Sequence, residues 1–253
     1  MKPVSSHTRR QRGGFSLVEL AVVLVIIGLI VGGVLKGQEL VTSAQINAVQ
    51  TDANKIRTAV NTFRNKFLAL PGDIQNPDAV IDLSSSGLSS FSEGGGNDNG
   101  QIEGDRLDAG TEAVQAWAHL GASGLLNEID AEAIDGNHLD AAEAMTSGIG
   151  GFYSMKTGLT GSENGTNFDA SLVAEHGIWL MLGTDPIGDG DNDDPAIAAD
   201  NAAELDRKID DGDPVTGDVI GNSDGPGADQ QECINDADRY AVETGTCAIA
   251  LKL

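Results

Sequence analysis

The chain is poor in basic side chains, aromatics and cysteine. It has 253 residues, with 15 Lys and Arg against 39 Asp and Glu, for a formal net charge of −24. Phosphate binding needs a basic footprint, so the charge argues against a nucleic-acid partner and disfavours a DNA-uptake role. Aromatics make up 4%, which argues against an aromatic-rich core or a sugar-stacking groove. The four histidines, at 7, 119, 138 and 176, are scattered. No His-x-x-x-His or Gly-x-Ser-x-Gly motif occurs, and no glycine loop is placed to cradle phosphate. The reading is that the protein is not an enzyme. Trp117 reads as a core residue with His119 as its surface neighbour.

Charge is also unevenly placed. Residues 1–70 hold nine Lys and Arg and three acids, whereas residues 71–253 hold six and 36. Glycine follows the acids, with 27 of its 33 copies after residue 70, so this part is expected to be rich in loops.

Residues 1–14 contain Lys2, Arg9, Arg10 and Arg12 and no acid. Phe15 to Leu35 is an apolar run broken by one charge, Glu19. About 20 apolar residues span a bilayer. The basic flank keeps the N-terminus in the cytoplasm and sends the chain after about residue 36 outward. A secretory signal peptide starts similarly, but this run exceeds an h-region and no small-x-small site follows it cleanly. A carboxylate in hydrocarbon costs on the order of 2.5–3.5 kcal/mol on insertion scales. Nothing basic lies one helical turn from Glu19. Cutting the bond after Gly14 would give Phe15 an α-ammonium, the obvious counter-charge.

These residues carry a resemblance. Gly14-Phe15-Ser16-Leu17-Val18-Glu19, after a short basic leader and before an apolar helix, resembles the prepilin signal of type IV pilins and type II secretion pseudopilins. The resemblance implies that Gly14 supplies the carbonyl cut by the prepilin peptidase. It implies that Phe15 becomes the methylated N-terminus, and that Glu19 pairs with a neighbouring subunit's amine during assembly. The implied partners are that peptidase, other pilin-like subunits and an inner-membrane assembly platform. The implied location is the bacterial inner membrane, single-pass with a periplasmic C-terminal domain, and then a filament. The proline many members carry in this helix is absent. Gly28, Gly32 and Gly33 loosen it instead, at about 1 kcal/mol each relative to Ala. The expected product is a structural subunit of a secretion pseudopilus or a type IV pilus. The alternative is a membrane-tethered adhesin or Ca²⁺-binding module that never polymerises.

Val49, Ala53, Ile56, Val60, Phe63 and Phe67 recur at steps of four and three, an apolar stripe on one helix. One helix is therefore expected from about 15 to 68, stopped at Leu70-Pro71-Gly72-Asp73. Helical patterns follow at Thr111–Leu126 and Leu139–Met145, and another is expected to begin at Asp194-Pro195 and reach Ile209. Ile178–Leu182, Val219-Ile220 and Ala248–Leu251 read as strands. The fold class is α+β: a long N-terminal helix, membrane-spanning then amphipathic, packed on a small antiparallel sheet with long acidic loops. The expected division is leader 1–14, membrane or filament-core helix 15–36, amphipathic half 37–70 and acidic extracytoplasmic domain 71–253.

Cys233 and Cys247, alone in an outward domain, read as a disulfide. Free thiols or a metal pair are the alternatives, the latter opposed by thirteen intervening residues and no nearby His. Asp189, Asp191 and Asp193 match the first half of an EF-hand loop, but Asp194 stands where Gly belongs. A looser Ca²⁺ site or a solvated acidic loop is expected there. Asn97-Asp98-Asn99-Gly100 with Glu103 is a weaker echo.

Overall fold

The computed structural model describes residues 17–81, 96–104, 111–129, 145–158, 177–183, 197–222, 233–234, 239–241 and 245–253. Helix α1 spans Leu17–Phe67, α2 Glu112–Ala122 and α3 Ala199–Ile209. The described residues also form a 3-10 turn at Pro77–Ala79 and five strands: β1 Phe152–Thr157, β2 Ile178–Gly183, β3 Ile197–Ala198, β4 Val219–Asn222 and β5 Thr246–Lys252. The chain divides into two compact units, residues 1–43 and 44–253. The fold class is α+β, as the sequence leads one to expect.

The second unit is organised around β5, which pairs antiparallel with β2, β3 and β4, while β1 pairs with β2. Alternation sorts the side chains. Tyr153, Met155, Leu180, Leu182, Ile249 and Leu251 join the main core, whereas Trp179, Met181, Ile220, Ala248 and Ala250 form a second buried cluster. The main core also takes the α1 stripe. Val49, Ala53, Ile56, Val60 and Phe63 are all buried, and Phe67 is half-buried. Val114, Trp117 and Leu120 of α2 complete it.

Helix α1 stops where Leu68 turns left-handed, at φ 59°. Gly72 follows at φ 86°, where a Cβ would collide with the Glu112 carbonyl, so only glycine fits. Three sequence expectations need correction. Helix α2 ends at Ala122, so Leu125 and Leu126 lie in the turn after it, where both N–H groups donate to Leu120 O. Helix α3 begins at Ala199, because Ile197 and Ala198 are held as β3 against Cys247 and Thr246. Asp194 and Pro195 lie outside the described residues, as does nearly all of the 139–145 pattern. The third correction is His119, which is buried rather than at the surface.

Candidate functional site

From Leu17 to Leu35 the first unit is apolar except for Glu19. From Leu17 to Ser43 no residue of α1 is buried. Leu17, Leu24 and Leu29 are each more than two-thirds exposed. Fully burying one such side chain is worth about 1.5–3 kcal/mol. Summed along the run, the unmet burial is on the order of tens of kcal/mol. A helix apolar all round belongs in lipid or among other helices. α1 is long and apolar enough to cross a membrane. Glu19 lies in its first described turn, where the helix dipole favours a carboxylate. Gly14 and Phe15 lie outside the described residues.

The family model described as the prokaryotic N-terminal methylation motif matches residues 9–35. Residues 9–35 are a prepilin-type signal of the type IV pilin and pseudopilin family. No curated protein and no solved structure matches the chain. The prepilin-type signal covers the basic leader, Gly14, Phe15, Glu19 and the apolar run together. It ends before the second unit, which begins at residue 44.

In the second unit, Cys233 and Cys247 form a disulfide, with Cα atoms 4.8 Å apart. Cys247 pairs with Ile197 in the sheet, so the bond ties the 233–234 segment to β5. Both sulfurs are buried.

Asp189, Asp191 and Asp193 lie outside the described residues. The carboxylates that meet are Asp206, Asp210 and Asp211, with oxygens within 4.8 Å of one another. Sequence reading missed this group because α3 places Asp206 inside the core, while Asp210 and Asp211 follow its last turn. Asp206 is fully buried and accepts hydrogen bonds from Tyr240 Oη (2.9 Å) and the Gly212 N–H (3.1 Å). Burial pushes its pKa up to about 6. Asp210 accepts from the Asp218 N–H, and Asp211 from the Asp213 N–H and Thr216 Oγ1. These carboxylates fasten the 210–218 turn to α3 and to the disulfide segment.

A second acidic pair organises the Asn97–Glu103 loop. Buried Asp73 accepts from the N–H groups of Asn99 (3.1 Å) and Gly100 (2.7 Å). Glu112 accepts from the N–H groups of Asn97 and Glu103, each at 2.9 Å. Asn97 and Asn99 turn their amide nitrogens to Glu103 Oε2. Burial raises the Glu112 pKa against those two hydrogen bonds. The loop is thus held by Asp73 and Glu112, which stand outside the EF-hand echo and accept from its backbone, while the echo's own Glu103 accepts from the Asn97 and Asn99 amides.

His119 packs flat against Phe63, with ring centroids 6.0 Å apart. Its Nδ1 accepts the Gly72 N–H at 2.9 Å. Nε2 therefore holds the proton in the neutral ring. Burial pushes the pKa down to about 4. The residue fastens the end of α1 to α2, and among the described residues no nucleophile or carboxylate is bonded to it.

Proposed function

We propose that the protein is a structural pilin-like subunit, cleaved after Gly14, methylated at Phe15 and assembled into a type II secretion pseudopilus or a type IV pilus. The observation that carries this is a prepilin-type signal on a helix whose first stretch, residues 17–43, is apolar and has no buried residue. The precursor sits in the inner membrane with its leader inside and residues 44–253 outside. The apolar surface that leaves lipid is buried against neighbouring helices. Glu19 then meets the Phe15 amine of an adjacent subunit, which removes the cost of an isolated carboxylate. The peptidase, the other subunits and the assembly platform are the partners. The work is assembly, not catalysis.

Mass spectrometry of the chain from its native host is the test. The expected N-terminus is methylated Phe15, and the E19A variant is expected to lower filament yield at least tenfold while its leader is still removed. An intact leader would reduce the protein to a tethered adhesin or binding domain.

Asp189, Asp191 and Asp193 enter this reading as ligands for Ca²⁺, a hard cation that takes clustered carboxylates. Millimolar Ca²⁺ is expected to raise the melting temperature, reversibly with EGTA, in the wild type but not in D189A/D191A. No shift would retire the idea.

A further inference from the structure

The Asn97–Glu103 loop contains a covalent weak point. Asparagine is among the chemically labile side chains. Asn99-Gly100 is one of two Asn-Gly pairs in the chain; the other, Asn164-Gly165, lies outside the described residues. Such a pair can react with itself, because glycine has no side chain to shield its backbone nitrogen from the asparagine carboxamide. Asn99 and Gly100 are both exposed, so water reaches them. A Cβ at Gly100 would meet nothing within 4 Å, so the loop has room for a change of shape there.

Every reacting group of the pair has a partner. Asn99 Oδ1 accepts the Gln101 N–H at 2.8 Å. This turn curls the carboxamide back over the Gly100 peptide and brings its carbon beside the Gly100 nitrogen. The Gly100 N–H donates to Asp73 Oδ2 at 2.7 Å. Asn99 Nδ2 donates to Glu103 Oε2 at 2.8 Å. Asp73 is itself fixed, being 1% exposed and taking the Asn99 N–H on Oδ1 at 3.1 Å. Each contact falls where an intramolecular attack requires it. Asp73 stands at the proton that the nucleophile must lose. The Gln101 N–H stands at the oxygen that becomes negative in the tetrahedral intermediate. Glu103 orients the nitrogen that leaves.

We propose that Asn99-Gly100 is a self-modification site, at which Asp73 is the base for closure of a succinimide. The Gly100 nitrogen attacks the Asn99 carboxamide carbon and passes its proton to Asp73. The bond from that carbon to Nδ2 then breaks. The departing nitrogen takes up the proton through water and leaves as ammonia. Water opens the ring at either carbonyl, giving aspartate or isoaspartate at position 99. One water is consumed and one ammonia released, with no oxidation or reduction. The aspartate product sets a carboxylate oxygen where Nδ2 met Glu103, so two negative groups face each other. In the isoaspartate product the main chain is one methylene longer between 99 and 100, and Asp73 loses its present register on the two N–H groups. The modification is a one-way loosening of this loop, and it stands apart from the filament reading.

The test incubates the full chain in detergent at pH 6, 7 and 8, beside a synthetic peptide of residues 96–104. ¹⁸O-labelled water marks molecules that hydrolyse during the incubation, and peptide mapping by mass spectrometry locates the label. The expected result is aspartate and isoaspartate at position 99, formed about tenfold faster than in the peptide. The rate in the chain should change little between pH 6 and 8, because its base is already in place. The peptide depends on hydroxide and should speed up with each pH unit. A chain that reacts no faster than the peptide, or that follows the peptide's pH dependence, would overturn the proposal. D73N keeps the shape of the side chain and removes the base. It is expected to bring the rate down to the peptide's or below and to restore the pH dependence; an unchanged rate would also overturn the proposal. The wild-type comparison stands whether or not D73N folds.

Discussion

Along residues 17–43 of α1 no side chain is buried, whereas along residues 44–67 seven are. Both stretches are helix, and both are rich in Val, Ile and Leu or their neighbours in hydropathy. The difference lies in arrangement. The first is apolar on every side from Leu17 to Leu35 except at Glu19, so a single core could take only a fraction of it. The second confines its apolar side chains to one stripe and puts Arg57, Thr58, Asn61 and Arg64 elsewhere, so one domain can satisfy it. One helix therefore serves two solvents. Its first stretch needs lipid or other helices, and its second needs this chain's own sheet.

Equal cuts in the two stretches should give unequal results. F63A removes a ring that is fully buried against Phe67 and His119. It is expected to destabilise the second unit by about 3–5 kcal/mol. I27A trims a side chain that is half exposed. It should move the same transition by no more than roughly 0.5 kcal/mol. Thermal unfolding of the full chain in detergent, followed by near-ultraviolet circular dichroism, reads both. Similar losses would mean that the first stretch is packed within the chain after all.

The disulfide gives the next largest effect, confined to the second unit. It closes a loop with a sequence separation of 14. In the chain-entropy model this is worth about 3 kcal/mol. C233S/C247S is expected to lower the melting temperature of the second unit and to leave the helicity of the first unchanged. An unchanged transition would show that the unfolded chain gains little freedom when the loop is opened.

Much of this contrast was legible in the residues, and the reason is range. The stripe from Val49 to Phe63 and the run from Leu17 to Leu35 are periodicities within a single helix. β2 was legible because a short apolar run stands between glycines at 177 and 183. β1 was missed although Gly150-Gly151 and Gly158 bound it, since Ser154 and Lys156 interrupt its apolar run. The start of α3 was misplaced because Asp194-Pro195 is a local cue, while β3 exists only through pairing with β5, about 50 residues later in the chain. His119 and Asp206 were illegible for the same reason. Their burial depends on Gly72 and Tyr240, 47 and 34 residues away. The prepilin-type signal was legible because its residues are contiguous in the chain.

Those two buried groups sharpen the comparison through pH, since both lie in the second unit. His119 has its pKa lowered from 6.5 to about 4 by burial. The folded state then binds fewer protons than the unfolded one across that window. Stability from this group is complete above about 6.5 and is lost as pH falls through 4. The H119Q variant, although less stable because the Gly72 contact is altered, should lose less between pH 7 and 4 than the wild type does. Equal acid sensitivity would mean that His119 is not buried neutral.

Asp206 pulls the other way, and more weakly because two hydrogen bonds still support its charge. Burial raises its pKa from 3.8 to about 6, so here the folded state holds the proton longer. Its contribution is complete below 3.8 and is lost as pH rises through 6. Between pH 4 and 6 the two groups therefore oppose each other, and the wild-type profile is flatter than either alone would make it. D206N keeps a side-chain acceptor for Tyr240 and cannot titrate. Its stability should fall more steeply than the wild type's as pH drops from 6 to 4, because the His119 slope is no longer offset. Each pKa unit corresponds to about 1.4 kcal/mol, so the divergence is readable by urea unfolding at three pH values. Parallel profiles would show that Asp206 ionises normally and that water reaches the Tyr240 contact.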